Sequence, residues 1–349
     1  MGQVWCPCGG KACGGRGASS REQDTLVSEP SEKLVNLDSA LGLWRWHLGQ
    51  WPPLLPRYVR PLPDLPEPGP SAFRVLSFNL LADGKQGQEQ WECTPADALI
   101  WDFRKWRLLE EMAVHLPDVL LLQEVDAEFF DEFFLGNLSQ IGYSGRIRQM
   151  PESRPDGVAI FWKRSRLRLI QCDELEFSAA REVALVMMLE TVVECPEPLH
   201  AEARQIVVTS THLNSGKDPA SESVRASQVR ELLGHVSVFA SGAPVVLGAD
   251  FNAEPGTAAK TGPPLALPAA LGHELELCTA YGDPQYTTWK KRPKGEVCRV
   301  IDYILFTAKL LKLVALLDLP EPEEVPPERL PTYSYPSDHF ALMAVFQFL

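Results

Sequence analysis

Residues 118–124 read DVLLLQE, and residues 244–252 read PVVLGADFN. In both stretches an apolar run of strand length ends in carboxylate or amide side chains. Two further runs end in the same way, 73–78 before Asn79 and 205–211 before His212. Burying a polar group at the carboxyl end of a strand without water or a hydrogen-bond partner costs free energy, so such residues usually face a cleft. Four strands that end this way predict one shared cleft.

The rest of the chain alternates strand and helix patterns. Helical spacing of apolar residues occurs around 108–116, 129–134 and 229–236. Runs rich in Val, Ile, Leu and Phe predict strands at 73–78, 118–123, 157–162, 183–189, 205–211, 244–248, 299–306 and 340–348. Strands dominate the second half, so we predict an α/β protein in which helices cover the sheets, without a regular parallel βαβ repeat.

The composition excludes several classes of protein. The 349 residues include 33 Lys and Arg against 46 Asp and Glu, a net charge of −13. This balance argues against a broad basic surface that coats nucleic acid. Eight cysteines are too sparse for a disulfide scaffold, and we expect the later ones to be reduced thiols. No run approaches the roughly 18 to 20 apolar residues of a membrane span, so we expect a cytoplasmic protein.

Residues 1–70 differ from the rest of the chain in composition and in hydrophobic periodicity. They contain 10 Pro and 9 Gly, their seven basic and seven acidic residues cancel, and they show no sustained period. We predict a disordered extension over 1–70 that ends in a proline-rich spacer, with Trp44, Trp46 and Trp51 either docked on the domain or in an unstructured patch. Residues 71–349 are predicted to form the catalytic domain, and we expect a monomer.

Asp302 interrupts an apolar strand, VIDYI at 300–304. A carboxylate in such surroundings needs a partner, and the SDH sequence at 337–339 offers one. Each polar residue alone has a plainer interpretation, because Asp or Asn after a strand is usually a turn former or helix cap and a lone His such as His212 is usually structural. Their joint occurrence favours a site.

These motifs resemble those of the endonuclease/exonuclease/phosphatase superfamily, and within it the nocturnin branch and, more distantly, the carbon-catabolite-repressor deadenylases. The resemblance covers residue 73 to the C-terminus. It is carried by LLQEVD at 121–126, RPDG at 154–157, THL at 211–213, DFNAEP at 250–255, YTTWK at 286–290 and YPSDH at 335–339. It implies a four-layer sandwich of two mixed β-sheets flanked by helices, and a magnesium-dependent attack of water on a phosphoester.

The resemblance also implies roles for individual residues. Mg²⁺, or Mn²⁺ in its place, would be held by Glu124 with Asn79 beside it, and Asp338 would lie near the metal. Asp250 would orient or deprotonate the attacking water. The further expected catalytic residues are Asn252 and His212 as donors to phosphoryl oxygens, and Asp302 paired with a protonated His339. Asp156 would lie beside the site.

The substrate is less constrained than the chemistry. The two candidates are the 2′-phosphate of NADP(H) and an RNA 3′ end. Where nocturnins carry basic residues, this chain has Asn214, Gly216 and Met150, which puts 2′-phosphate recognition in question. Compensating contacts are predicted from Lys217 and Arg148 and from the basic run that starts at Lys290, with Trp289 as a stacking surface. Solvated surface charges and a core Trp are the plain alternatives. The alternative function is that of a catalytically inactive binding protein that retains the fold.

The N-terminus predicts membrane anchoring by acylation. Gly2 suits N-myristoylation, although Cys6 stands where Ser or Thr is preferred. Cys6 or Cys8 would accept a second acyl chain, because one myristoyl chain binds a membrane only marginally. We expect Gly2→Ala to move the protein from the membrane fraction to the cytosol in cell fractionation. An identical distribution of wild type and Gly2→Ala would contradict this prediction.

Overall fold

The computed structural model describes residues 34–63, 65, 68–69, 71–85, 91–151, 154–192, 204–258 and 260–349. The predicted acylation sites Gly2, Cys6 and Cys8 lie outside the described residues. The prediction of disorder for residues 1–33 also falls on residues that the structure does not describe. Among the described helices, none is both long and apolar enough to span a bilayer.

The helices are α1 (Leu37–Leu48), α2 (Trp101–Val114), α3 (Ala127–Phe129), α4 (Gly136–Gln140), α5 (Pro219–Ala240) and α6 (Ala266–Leu271). A π-helical segment, Phe130–Leu135, joins α3 to α4. The strands are β1 (Val59–Pro61), β2 (Phe73–Asn79), β3 (Val119–Asp126), β4 (Tyr143–Gln149), β5 (Asp156–Lys163), β6 (Leu167–Glu176), β7 (Val183–Thr191), β8 (Gln205–His212), β9 (Val245–Asp250), β10 (Leu277–Thr279), β11 (Thr288–Arg292), β12 (Gly295–Arg299), β13 (Asp302–Thr307), β14 (Leu311–Leu317) and β15 (Leu342–Phe348).

Two mixed sheets form the centre of the fold. A seven-stranded sheet has the order β1-β14-β15-β2-β3-β5-β4, and a six-stranded sheet has the order β10-β13-β9-β8-β7-β6. Apolar side chains of both sheets, among them Val75, Leu121, Val208 and Ile304, form one buried cluster. Further apolar clusters pack α2 against the first sheet and α5 and α6 against the second. The predicted four-layer α/β fold is therefore confirmed.

One parallel pair of strands in each sheet determines where the site lies. β2 pairs with β3 in the first sheet, and β8 pairs with β9 in the second, both in parallel. The carboxyl ends of parallel neighbours lie at the same edge of a sheet. Asn79 therefore lies opposite Gln123, and His212 lies opposite Asp250. The polar strand ends that were noticed in the sequence gather at two facing sheet edges.

The predicted extension over residues 1–70 is too long. α1 and β1 lie inside it, and the compact unit begins at residue 34. Trp44 of α1 is only 2% exposed, and β1 adds an antiparallel strand to β14, with Val59 opposite Leu317. Trp51 stacks on Phe103 with ring centroids 4.6 Å apart. A single 12-residue helix and a three-residue strand give little local periodicity, because tertiary packing supplies most of their stability.

Candidate active site

β2 and β3 bring Asn79 and Glu124 to the same edge. The β3–β5 register shifts between Leu122 and Val125, and Glu124, within this bulge, has a φ of 52°. A bulge re-aims a side chain, and a positive φ in a residue other than glycine is a strained conformation found often at functional sites. Glu124 lines the central cavity as a result. Its Oε1 accepts a hydrogen bond from Asn79 Nδ2 at 3.3 Å.

Asp250 lies at the centre of the site with both carboxylate oxygens fixed. Its Oδ1 accepts a hydrogen bond from the backbone N–H of Asn252 at 2.8 Å, and its Oδ2 accepts one from Asn79 Nδ2 at 3.0 Å. His212 Nε2 lies 3.5 Å from Asp250 Oδ2 and 2.9 Å from Asn252 Nδ2. The buried Asp250 carboxylate is therefore held in one orientation, with His212 and Asn252 beside it.

Asp302 and His339 form the pair that the sequence predicted. Asp302 lies opposite Asp250 in the β13–β9 register, and His339 Nδ1 is 3.0 Å from each oxygen of the Asp302 carboxylate. The hydroxyl of Thr287 donates to Asp302 Oδ2 at 2.6 Å. Burial acts to lower the pKa of His339, but the carboxylates of Asp302 and Asp338 raise it to about 9. His339 is therefore an imidazolium at neutral pH.

Asp338 is buried between cations. Its Oδ2 accepts hydrogen bonds from Lys290 Nζ and, at 3.2 Å, from Arg292 Nη2. Burial alone would raise the pKa of Asp338, but Lys290, His339 and Arg292 hold it well below its usual value. Its Oδ1 has no hydrogen-bond partner among the described residues. Asp338 is therefore an ionised carboxylate whose Oδ1 makes no hydrogen bond to any described residue and lies 3.7 Å from His339 Nε2.

The donor set fits a hard divalent cation. Glu124 and Asp338 offer carboxylate oxygens, the ligands that Mg²⁺ prefers. Carboxylate oxygens of Asp250 and Asp302 lie within 4.8 Å of one another and of a His339 ring nitrogen, but the protonated His339 is a hydrogen-bond donor to Asp302 and not a metal ligand. The Oδ1 atom of Asn79, which was predicted to lie beside the metal, accepts a hydrogen bond from the Leu81 N–H at 3.0 Å. In this orientation the Asn79 amide presents its nitrogen to the carboxylates, and ligation through its oxygen remains a prediction.

Most of these residues line a cavity of about 920 Å³: Glu124, His212, Asp250, Asn252, Asp338 and His339. Five acidic residues line it, Glu124, Glu182, Asp250, Glu296 and Asp338, together with seven basic ones, Arg154, Lys217, Lys260, Lys290, Arg292, Lys294 and Arg299. Within the described ranges, Lys217, Lys260 and Lys294 make no ion pair with a carboxylate. Desolvation and the neighbouring cations, Lys290 foremost, lower the pKa of Lys217. An excess of positive charge therefore lines one cavity of a protein whose net charge is −13.

Arg148 is not brought to the cavity, contrary to its prediction as a substrate contact. It lies on β4, the edge strand of the first sheet, and its guanidinium pairs with Glu174 at 3.0 Å and Glu176 at 3.6 Å. Both acidic residues belong to β6, the edge strand of the other sheet. Arg148 therefore links the two sheets at their common edge.

Trp289 is also not free to stack on a substrate base. Its ring is part of the core side of β11, 4.8 Å from the Tyr286 ring, and the Arg329 guanidinium lies 3.9 Å from its ring centroid. The indole N–H donates to Glu296. The plain interpretation of a packed Trp in a strand is the correct one.

Asp156 lies beneath the cavity without lining it. It opens β5 opposite Asp126 in the strand register, and its Oδ1 is 3.9 Å from Arg154 Nε. Burial, opposed by a hydrogen bond from the Asp83 N–H and by Arg104, raises the pKa of Asp126 to about 6. Asp156 is thus a buried carboxylate next to Arg154, which itself lines the cavity.

Three residues of the site were given no role from the sequence, although one of them, Thr287, lies within the YTTWK motif at 286–290. Thr287 orients Asp302. Arg104 of α2 is buried, and its Nη1 donates to the carbonyl of Leu80 at 2.7 Å, next to Asn79. Lys260 joins the cavity from a loop before α6. Helix and strand patterns show which residues share a face, but not which distant segments meet, so only the folded chain brings these side chains to the site.

Comparison with known proteins agrees with this geometry. The model of the Endonuclease/Exonuclease/phosphatase family matches residues 76–339. Nocturnin of Homo sapiens is 33% identical over 349 aligned residues, which cover 95% of this chain and 78% of that protein. The structure of the human Nocturnin catalytic domain with bound sulfate anion superimposes with a TM-score of 0.65 at 28% identity, covering 86% of this chain and 100% of that one.

A more distant relative is the 3′-5′-exoribonuclease subunit Ccr4 of the CCR4-Not complex of Saccharomyces cerevisiae, 28% identical over 338 aligned residues that cover 79% of this chain and 39% of that protein. Enzymes of the matched family depend on a divalent metal ion, and the acidic cluster of this chain fits one. The alternative function, a catalytically inactive binding protein that retains the fold, does not agree with these findings, because the carboxylates and histidines of the site line one cavity in a chain that matches a hydrolase family. The chain belongs to the endonuclease/exonuclease/phosphatase family and is a metal-dependent phosphoester hydrolase.

Proposed function

We propose that the chain is a Mg²⁺-dependent phosphatase of a small nucleotide that carries more than one phosphate group, with NADP(H) as the substrate to test. The observation that carries this proposal is the group of three cavity lysines, Lys217, Lys260 and Lys294, which have no acidic partner among the described residues. Clustered cations repel one another unless anions approach them. A substrate with several phosphates supplies those anions.

The reacting phosphate is placed at the acidic end of the cavity. Glu124 and Asp338 would hold Mg²⁺, which when bound polarises the phosphoryl oxygen and offsets charge on the leaving group. Asp250 accepts two hydrogen bonds from Asn79 and Asn252, so its carboxylate is fixed where it can orient a water and take its proton. The remaining phosphates then lie toward Lys217.

The two histidines act as donors in this proposal. His339 carries a proton because Asp302 raises its pKa, and it donates to a phosphoryl oxygen as negative charge shifts there in the transition state. His212 Nδ1 is buried without a hydrogen-bond partner among the described residues. Since His212 Nε2 faces Asn252, Nδ1 is the atom left to donate to the substrate.

An RNA 3′ end is the second candidate. The name of the yeast relative supports it, as do the cations of the β11–β12 hairpin. Lys290 and Arg292 are bound to Asp338, so their substitution would disturb the metal side of the site. Lys291 is the better probe of an RNA backbone, because it is not one of the three cavity lysines and its ammonium donates to the carbonyl of Pro327 rather than to a catalytic residue.

We expect Lys217→Ala to raise KM for NADPH about tenfold with a smaller effect on kcat. The reason is that Lys217 would stabilise the bound substrate and the transition state equally, so its loss weakens binding more than it slows the chemical step. KM for adenosine 2′-monophosphate, which has a single phosphate, should change less than twofold. Steady-state kinetics with both substrates measure this. A larger effect of Lys291→Ala on oligoadenylate than on NADPH, together with a steep fall in rate with salt, would favour the RNA substrate. No effect of any variant on either substrate would show that the binding cations are misplaced.

A further inference from the structure

We propose that a buried ion pair on α5, Glu222 with Arg225, is the positioning device for the two lysines at the distal end of the cavity, Lys217 and Lys260. This inference rests on the proposed function, in which those lysines bind the non-reacting phosphates. Neither Glu222 nor Arg225 lines the cavity. They act through the loops that carry the lysines, and so they set the affinity for a substrate with several phosphates.

Arg225 holds the first of these loops. The side chain is fully buried, with 0% exposure. Its Nη1 donates to the carbonyl of Asn214 at 2.9 Å and to the carbonyl of Gly216 at 2.7 Å. Lys217 is the next residue. A guanidinium can reach two carbonyls and a carboxylate at once because its five N–H groups form a rigid fork.

Glu222 holds the second loop. Its Oε2 accepts one hydrogen bond from Arg225 Nε at 2.8 Å. Its Oε1 accepts hydrogen bonds from the backbone N–H groups of Leu265 at 2.8 Å and Ala266 at 3.0 Å. These two amides follow the segment that carries Lys260 and lead into α6. One carboxylate thus joins the two lysine-bearing loops through a single buried ion pair.

The fit of the first loop against α5 leaves no spare room. A Cβ atom on Gly216 would lie 2.0 Å from Ser221 Oγ and 2.8 Å from Ser221 Cβ. Real Cβ atoms do not approach that closely, so an alanine there must displace the loop or the Ser221 side chain. Asn214 adds a further restraint, because its Oδ1 accepts the Gly216 N–H at 3.0 Å. The position of Lys217 therefore depends on backbone contacts of residues 214–216.

A purely stabilising role is a weak explanation for this arrangement. A buried ion pair is costly to desolvate, and replacing such a pair with apolar residues is often neutral for stability or better. The Glu222–Arg225 pair instead satisfies four backbone groups: the carbonyls of Asn214 and Gly216 in the loop before α5, and the N–H groups of Leu265 and Ala266 at the start of α6. That use of the pair fixes loop geometry next to a binding site.

The test uses Arg225→Met in the full chain. We expect KM for NADPH to rise about tenfold with kcat within twofold, because ground-state binding is lost while the catalytic carboxylates are untouched. Most of the effect should be absent in the Lys217→Ala background, since Arg225 contacts the Lys217 loop directly and reaches the segment after Lys260 only through Glu222. Additive effects in the double variant would overturn the proposal.

A readout that needs no substrate accompanies the kinetics. Backbone amides of residues 213–218 should exchange hydrogen faster in Arg225→Met than in wild type, because the carbonyl contacts that order the loop are gone. Unchanged exchange in this segment would overturn the proposal whatever the substrate proves to be. If exchange rises while Lys217→Ala leaves KM unchanged, the loop assignment stands and the proposed function fails.

Two controls separate positioning from folding. Arg107→Met breaks the ion pair with Glu110, another buried pair at i and i+3, on α2 and away from the cavity. It should lower thermal stability as Arg225→Met does, with KM unchanged. Gly216→Ala displaces the loop without touching the ion pair, and it should reproduce the rise in KM. Adding Ser221→Gly should restore most of the wild-type KM, whereas a wild-type KM in Gly216→Ala itself would contradict the proposal.

Discussion

Glu124→Ala should lose activity by roughly 10³-fold or more, because the loss of a carboxylate that holds the catalytic metal removes several kcal/mol of transition-state stabilisation. Glu124 is turned into the cavity by a bulge and a positive φ, and its carboxylate oxygens accept hydrogen bonds from Asn79 Nδ2 and the Ala82 N–H. Asn79 is neutral and presents its nitrogen, so it cannot replace the carboxylate. Initial rates against Mg²⁺ and Mn²⁺ concentration, with and without a chelator, measure the effect.

The matched control is Glu296→Ala. Glu296 lines the same cavity, but its carboxylate is bonded to Arg329, at 2.7 Å, and to the Trp289 indole. We expect its rate and its dependence on metal concentration to stay within a few fold of wild type. Turnover by the wild-type protein that resists a chelator would contradict the metal-dependent chemistry proposed for Glu124.

Asp250→Asn should slow the chemical step by a factor on the order of 10² or more while metal binding is kept, as expected when a general base is lost. The amide that replaces the carboxylate cannot take a proton from water. In the wild-type protein both Asp250 oxygens accept a hydrogen bond, one from Asn79 and one from Asn252. An amide has only one oxygen, so the substituted side chain can keep only one of the two acceptor atoms. Single-turnover rates report the chemical step, and calorimetric titration with Mg²⁺ reports the metal.

Asp118→Asn is the control for replacing a buried carboxylate with an amide. Asp118 precedes β3, at the opposite end of the strand from Glu124, where it accepts the Arg74 N–H at 2.8 Å. Thermal stability should fall in this variant while the single-turnover rate is retained. An unchanged kcat in Asp250→Asn would assign the base to another group of the site.

The sequence alone predicted the polar side chains that the structure brings together at the candidate catalytic centre. Apolar runs of strand length ending in Asn79, Glu124, His212 and Asp250 are local patterns, and the alternation of a strand fixes which side chains share a face. The motif around Asp302 needed a partner, and the structure provides His339 at 3.0 Å. Such features can be predicted because they depend on neighbours along the chain and on the cost of burying a polar group.

Only the tertiary structure decided what surrounds this centre. Arg148 pairs with Glu174 across the edges of two sheets, Trp289 is covered by Arg329, and α1 packs on the domain from a segment that looked disordered. Lys217 and Lys260 reach the cavity from separate loops that the Glu222–Arg225 pair joins. Each of these contacts links segments far apart in sequence, and their free energy comes from packing, desolvation and charge pairing that exist only once the sheets and helices have met.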